Sequence, residues 1–204
     1  IGALNNGIDV VGVAPGVRLV GVKVLGCNGS GSTSGVIKGV DYVTANRILP
    51  AVANMSLGGG KSATLDAAVK RSVETGGVFY AVAAGNNGAD ACNASPANLG
   101  AGLAGLISTA ATDSNDNEAS FSNFGACVDM WAPGVNILST KRGGGTITYS
   151  GTSMASPHVA GAAVVELSYG AKKPRVVGAG LQKKAQTTPK TSKSGATIRV
   201  VQAQ

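Results

Sequence analysis

Residues 150–161 read Ser-Gly-Thr-Ser-Met-Ala-Ser-Pro-His-Val-Ala-Gly. A glycine turn at Gly151 runs into small and apolar residues, which predicts a helix from about Thr152 into Leu167. Ser153 then sits in the first helical turn, where backbone N–H groups lack intrahelical partners and the helix dipole favours negative charge. Such a place suits a nucleophilic hydroxyl, because the tetrahedral adduct of a serine is an oxyanion. Taken by itself, a serine at this position is more often a plain helix cap.

Outward from this stretch the chain alternates strands and helices. Residues 18–25 (Arg-Leu-Val-Gly-Val-Lys-Val-Leu) read as a buried strand that ends in a Gly/Ser-rich loop. Val36, Ile37, Val40 and Val43 recur at helical spacing behind a Ser/Thr cluster suited to capping. Residues 51–57 read as a second strand stopped by Gly58-Gly59-Gly60, and Ser62 caps a helix with Leu65, Ala68, Val69 and Val73 on one face. Further strands are expected at 78–84, 106–112 and 128–131. Successive strand–helix–strand units predict an α/β fold with a mainly parallel sheet. Function in such sheets gathers at the C-terminal strand ends. Here those ends carry the Gly-rich loops 26–32, 57–60 and 85–88, which are either tight turns or places where a ligand backbone comes close.

Composition narrows the function classes. With 44% hydrophobic and 13% charged residues among 204, the chain can bury a sizeable core and is not a disordered segment. No apolar run approaches the ~20 residues of a membrane-spanning helix. The 31 glycines follow no period of three, which excludes collagen. The only histidine, His158, excludes a multi-histidine metal site and restricts acid–base chemistry. Three cysteines leave one over after any internal pair. Residues 170–204 hold Lys172, Lys173, Arg175, Lys183, Lys184, Lys190, Lys193 and Arg199 and no acid. Polyanion binding is one reading of that stretch. A solvated C-terminal segment is the plainer one, because it lacks aromatic residues to stack on bases.

The 150–161 stretch resembles the nucleophile signature of the subtilisin-like serine proteases, the subtilases. Further stretches follow in the family's order. Asn54-Met-Ser-Leu-Gly-Gly resembles one wall of the specificity pocket, and Ala83-Ala-Gly-Asn86 resembles the segment with the oxyanion asparagine. Ala119-Ser-Phe-Ser-Asn-Phe-Gly and Ala132-Pro-Gly resemble the stretches that follow, and Asn28-Gly-Ser-Gly31 resembles the edge strand that pairs with substrate. The resemblance runs almost continuously over residues 1–168 and is nearest to the proteinase K and aqualysin-like branch. It implies a three-layer α/β subtilisin-like fold, with residues 1–186 forming a partial catalytic domain. Residues 187–204, where the resemblance fades, are expected to form a divergent basic tail.

By resemblance, Ser153 is the nucleophile, Asn86 and the Ser153 N–H bind the oxyanion, and Thr152 assists in a minor way. Ser56, Leu57, Gly58, Ala84 and Gly85 line the pocket for the side chain before the scissile bond, which leaves room for a bulky apolar group. Gly29, Ser30 and Gly31 bind an extended peptide by strand addition. The chemistry needs no cofactor, whereas a structural calcium ion is implied at Asp129 with carbonyls near Ala104 and Leu106, a hard-cation donor set. A surface aspartate without metal is the other reading of Asp129. Cys92 and Cys127 match a bridged pair of the branch. Cys27 matches a position whose partner lies upstream, so it is expected as a free thiol. Disulfide use implies a secreted setting.

The family's base and its orienting acid precede the serine in chain order. Ile1-Gly-Ala-Leu-Asn-Asn-Gly resembles what directly follows the family's catalytic His stretch, so both the His and the Asp are expected upstream of Ile1. The resemblance gives His158 a structural place on the buried helix, and at i+5 it faces roughly 140° away from Ser153. The strands that carry the missing groups belong in mid-sheet, so the chain is expected to fold poorly by itself unless an upstream piece associates. The function implied is a secreted serine endopeptidase, most of whose catalytic domain is present. A catalytically dead fragment that only binds peptide, and a polyanion-binding basic tail, are the alternatives. Expected partners are a peptide or protein substrate and a missing N-terminal segment of the same protein. No membrane or nucleic-acid partner is expected, and the state expected is a monomer.

Overall fold

The computed structural model describes residues 1–100 and 102–202. Its elements in order are α1 (Thr33–Asn46), β1 (Ala51–Met55), β2 (Gly59–Gly60), α2 (Ala63–Glu74), β3 (Val78–Ala83), β4 (Ala94–Ser95), β5 (Leu106–Thr112), β6 (Met130–Pro133), β7 (Ile137–Thr140), β8 (Thr146–Tyr149), α3 (Thr152–Ser168), α4 (Pro174–Lys184), β9 (Gln186–Thr191) and β10 (Thr197–Val200). Short 3₁₀ turns at Ala91–Asn93 and Ala97–Leu99 flank β4.

The main sheet has the order β1-β3-β5-β6-β10-β9. Its pairings are parallel except for the β9–β10 hairpin. All six residues of β3 are buried, as a strand covered on both faces requires. Side chains alternate across it. Val78, Tyr80 and Val82 pack with Val36 and Val40 of α1 and with Leu65, Val69 and Val73 of α2. Phe79 and Ala81 pack with Val159, Ala162 and Ala163 of α3 and with Val177 and Leu181 of α4. The result is the expected three-layer α/β arrangement. Local chemistry sets the helix starts: the Ser32 hydroxyl accepts from Gly35 N–H at 3.1 Å, and the Ser62 hydroxyl accepts from Leu65 N–H at 3.4 Å.

Two expectations are corrected. Residues 18–25 join no sheet, and Leu19 and Val20 stand 63% and 70% exposed. A buried strand needs a neighbour for its backbone groups, and none of the described strands lies beside this one. The segment instead lies along α1, where Gly39 leaves space for Val24 and Val22. β1 in turn is the edge of the main sheet. The second correction concerns the solvated reading of residues 170–204. Through residue 202 they are no solvated tail: β9 and β10 extend the sheet from β6, and Ile198 and Val200 pack with Trp131, Ala84 and Ala110. Three of the eight bases are bonded to other groups of the fold. Lys184 pairs with Glu166 at 2.6 Å, the Arg199 guanidinium donates to the Gln182 carbonyl, and Lys193 binds backbone carbonyls.

Amide hydrogen exchange of the isolated chain should order these elements. The amides of β3 and β5 are expected to exchange slowest, with β1 faster and residues 18–25 close to unprotected rates. Equal protection of 18–25 and β3 would contradict the unpaired edge.

Candidate active site

The C-terminal ends of β1 and β3 and the start of α3 meet at one cleft of about 680 Å³. Ser153 lies at its floor, in the first turn of α3. Ser56, Leu57 and Gly58 come from the end of β1, and Ala84, Gly85 and Asn86 from the end of β3. Gly29, Ser30 and Gly31 form the opposite rim. The cleft therefore gathers every residue expected to bind substrate or oxyanion, from segments more than a hundred positions apart.

A closed set of hydrogen bonds orients Asn86. Its Oδ1 accepts from Thr152 N–H at 2.8 Å and from the Thr152 hydroxyl at 2.8 Å. Thr152 Oγ1 accepts in turn from Gly85 N–H at 3.1 Å. Because a backbone N–H can only donate, the atom facing Thr152 must be the amide oxygen. The Asn86 Nδ2 group is thereby turned toward the mouth of helix α3. The Ser153 N–H is one of the first-turn donors that the helix itself leaves unsatisfied. These two donors make a plausible oxyanion pair by chemistry, and Thr152, expected as a minor helper, is what aims one of them.

A second network holds Ser153. Pro157 lacks the N–H that would bond the Ser153 carbonyl four residues back. The Ser56 hydroxyl fills that vacancy, donating to Ser153 O at 2.7 Å. Asn54 Nδ2 donates to Ser56 Oγ at 2.9 Å, and the Ser156 hydroxyl donates to Asn54 Oδ1 at 2.7 Å. Donor direction is thus fixed along the chain Ser156, Asn54, Ser56, Ser153. The nucleophile candidate's own hydroxyl donates to the Ser56 carbonyl at 3.2 Å. Asn54 and Ser156 went unassigned in the sequence; the available signal was a polar residue inside the otherwise apolar run Ala51–Met55.

His158 plays no part in either network. Its Nδ1–H donates to the Met154 carbonyl at 2.8 Å, within its own helix. Burial pushes the imidazole pKa below its ordinary value, outweighing the Met154 bond, which raises it, and the nearby N-terminal ammonium lowers it further.

Cys92 and Cys127 are joined across a sequence separation of 35, tying the loop beyond the cleft to the segment before β6. A bridge of that span stabilises by about 3–4 kcal/mol. Cys27 is free and exposed. At the implied metal position, Asp129 Oδ2 accepts from Ser108 N–H at 2.7 Å. Asp129, Ala104 and Leu106 line one cavity of about 260 Å³, together with Arg175. No group of three or more His, Cys, Asp or Glu among the described residues could hold a metal. The donors on offer are therefore one carboxylate and backbone oxygens, a set that fits a hard cation.

The subtilase family model matches residues 1–198. The chain is 56% identical over 161 residues to alkaline serine exoprotease A of Vibrio alginolyticus, covering 79% of this chain and 29% of that protein. It is 53% identical over 160 residues to an extracellular serine proteinase of Thermus sp. (strain Rt41A), covering 78% of this chain and 38% of that protein. Among solved structures, a cold adapted subtilisin-like serine proteinase superimposes with a TM-score of 0.89 at 46% identity, over 95% of this chain and 69% of that one. The chain thus spans well under half the length of these curated relatives. Among the described residues no helix is long and apolar enough to cross a membrane.

The buried imidazole makes stability depend on pH. The unfolded chain takes up a proton near the ordinary pKa of 6.5 while the folded His158 resists it. Stability is therefore expected to be full above about pH 6.5 and to decline as pH falls below it. Thermal melts between pH 7.5 and 5.5 should show this slope, and His158→Gln should flatten it.

Proposed function

Since the chain belongs to the subtilase family, we propose that it is the nucleophile- and oxyanion-bearing part of a secreted serine endopeptidase. The observation that carries this reading is the orientation of Asn86 by Thr152 beside the first turn that holds Ser153. A peptide laid along Gly29, Ser30 and Gly31 would bring its scissile carbonyl to Ser153. Ser153 Oγ, released from the Ser56 carbonyl, would attack the carbonyl carbon and give its proton to a base. The oxyanion would accept from Asn86 Nδ2 and Ser153 N–H, and loss of one such donor typically costs ~10²–10³ in rate. The C–N bond then breaks, the amine leaves with the proton, and water hydrolyses the acyl-serine. Leu57, Gly58, Ala84 and Gly85 would form the pocket for the residue before the scissile bond.

The base and its orienting carboxylate would come from a preceding segment of the same protein. Two observations support this. His158 is committed to the Met154 carbonyl, and the edge of β1 and the unpaired residues 18–25 leave backbone groups for strands that would carry those residues. The second reading, a peptide-binding fragment without catalysis, is favoured by the Ser153 hydroxyl being directed at the Ser56 carbonyl. A fluorophosphonate probe separates the two. With the preceding segment present, labelling of Ser153 is expected, with loss in Ser153→Ala and a drop of about 10²-fold in Asn86→Leu. Absence of labelling in that form would leave peptide binding as the function.

A calcium ion would bind at Asp129 with backbone oxygens near Ala104 and Leu106, and would supply a fixed positive charge that holds the start of β5 to β6. Arg175 in the same cavity is a competing cation, so the affinity should be weak. Added calcium is expected to raise the melting temperature, with the gain lost in Asp129→Asn and enlarged in Arg175→Gln. A calcium response unchanged in Asp129→Asn would place the ion elsewhere.

A further inference from the structure

Asn86 is aimed from one side by Thr152, but the loop that carries it must also be held from behind. Gly85 and Gly88 both have positive φ, +110° and +59°, a backbone that glycine permits and does not enforce. Enforcement comes from Asn123, which is 2% exposed. Its Nδ2 donates to the Ala84 carbonyl at 2.9 Å, and its Oδ1 accepts from Asn87 N–H at 3.0 Å and Ala89 N–H at 3.1 Å. Its own N–H donates to the Gly85 carbonyl at 2.9 Å. One side chain thus grips the loop on both sides of Asn86.

Asn123 lies in an irregular segment between β5 and β6, which has to be held as well. Three backbone carbonyls of that segment converge on one ammonium. Lys193 Nζ donates to Ser122 O at 2.7 Å, Ser120 O at 2.9 Å and Ala119 O at 3.3 Å. An ammonium has three donors, and these carbonyls take all three. Glu118, whose side chain is 3% exposed, lies 3.7 Å from Nζ through Oε1. Its Oε2 accepts from Trp131 Nε1 at 2.9 Å, and its Oε1 also accepts from Lys193 N–H at 3.2 Å. Lys193 itself is placed by the tight turn between β9 and β10, where Ser192 N–H donates to Ala196 O at 2.8 Å and Gly195 N–H donates to Ser192 O at 2.9 Å.

We propose that the β9–β10 hairpin is a positioning element of the active site: Lys193 fixes the 119–122 carbonyls, these fix Asn123, and Asn123 fixes the loop that presents Asn86. Lys193 and Asn123 touch no substrate; they act through Asn86. The idea rests on the reading of Asn86 as the oxyanion donor. A misplaced donor loses much of its value in the transition state, while the ground-state contacts made along Gly29–Gly31, away from the loop, are kept, so kcat is hit harder than KM.

The test uses Lys193→Met, which keeps an unbranched side chain and removes the donors together with the ammonium that lies 5.1 Å over the Phe124 ring, and Asn123→Ala. On this chain alone, amide exchange of residues 85–89 is expected to accelerate at least tenfold in Lys193→Met while β3 is unchanged. Unchanged exchange at 85–89 would overturn the proposal whether or not the chain is part of a peptidase. On the protein with its base-bearing segment present, kcat for a short peptide ester should fall about tenfold with KM within twofold. In an Asn86→Leu background, Lys193→Met should cost nothing further, because both act through one group. A Lys193→Met loss that persists undiminished in that background would mean general destabilisation and sink the proposal. Absence of any activity in the parent form would overturn the peptidase reading, and the exchange measurement would still decide the relay. Should the methionine variant fail to fold, Lys193→Arg replaces it. That variant keeps the charge near Glu118, and a planar guanidinium cannot bring three donors to one point.

Discussion

The bond pair from Thr152 to Asn86 Oδ1 is the joint on which the cleft depends. It ties the first residue of the central helix to the loop after the buried strand β3, and Gly85 N–H closes the set through Thr152 Oγ1. Beyond this set and the bonds that Ser153 and Ser156 make to Ser56 and Asn54, helix α3 is located by packing, and small residues permit its close approach to the sheet. Ala155, Ala160 and Ala163 are at most 1% exposed, and Gly161 leaves just enough room for Val13. Packing of small residues fixes the distance between helix and sheet but only weakly fixes rotation and slide along the axis. A directional polar set at the helix start removes that freedom, which is why a sub-ångström arrangement can be built on an alanine-rich interface.

The same logic explains Pro157. A proline in the second turn costs a helix one internal hydrogen bond and leaves a carbonyl exposed. Here the carbonyl belongs to Ser153, and the Ser56 hydroxyl satisfies it. The defect becomes a cross-link between β1 and α3, extended through Asn54 to Ser156. The end of β1 and the turn that holds Ser153 therefore cannot shift independently, although among the described strands none pairs with β1 on its outer side.

Much of the fold was legible because its causes are local. Ser32 and Ser62 cap the helices they were expected to cap, and Leu106–Thr112 forms the strand that its run of small and β-branched residues indicated. That Ser153 and Asn86 line one cleft agrees with the expectation drawn from the signature stretches around them. What escaped were features decided by distant partners. Residues 18–25 have the composition of a buried strand, yet a strand exists only where another one offers its backbone. Residues 186–200 are polar and basic enough to look solvated, yet alternate residues such as Thr188, Ile198 and Val200 turn inward once β6 supplies an edge. Asn54 and Asn123 are single amides whose meaning lies in distant groups, the Ser156 hydroxyl for Asn54 and the Ala84 carbonyl with the Asn87 and Ala89 N–H groups for Asn123, and no spacing rule reaches that far.

These two kinds of feature divide the chemistry in an instructive way. Stabilising an oxyanion needs fixed dipoles, and fixed dipoles need rigid backing; under the proposed function that backing would come from this chain's own strands, helix start and C-terminal hairpin. Proton transfer needs a titratable group at one point, and the chain's sole imidazole is turned into its own helix. In serine proteases with a Ser-His-Asp triad, removing a triad member leaves a residual ~10³–10⁴-fold advantage over water, because oxyanion binding and substrate positioning survive. Under the proposed function, this chain would be the part that requires the most structure, and the base could arrive on a smaller segment that completes the sheet beside β1.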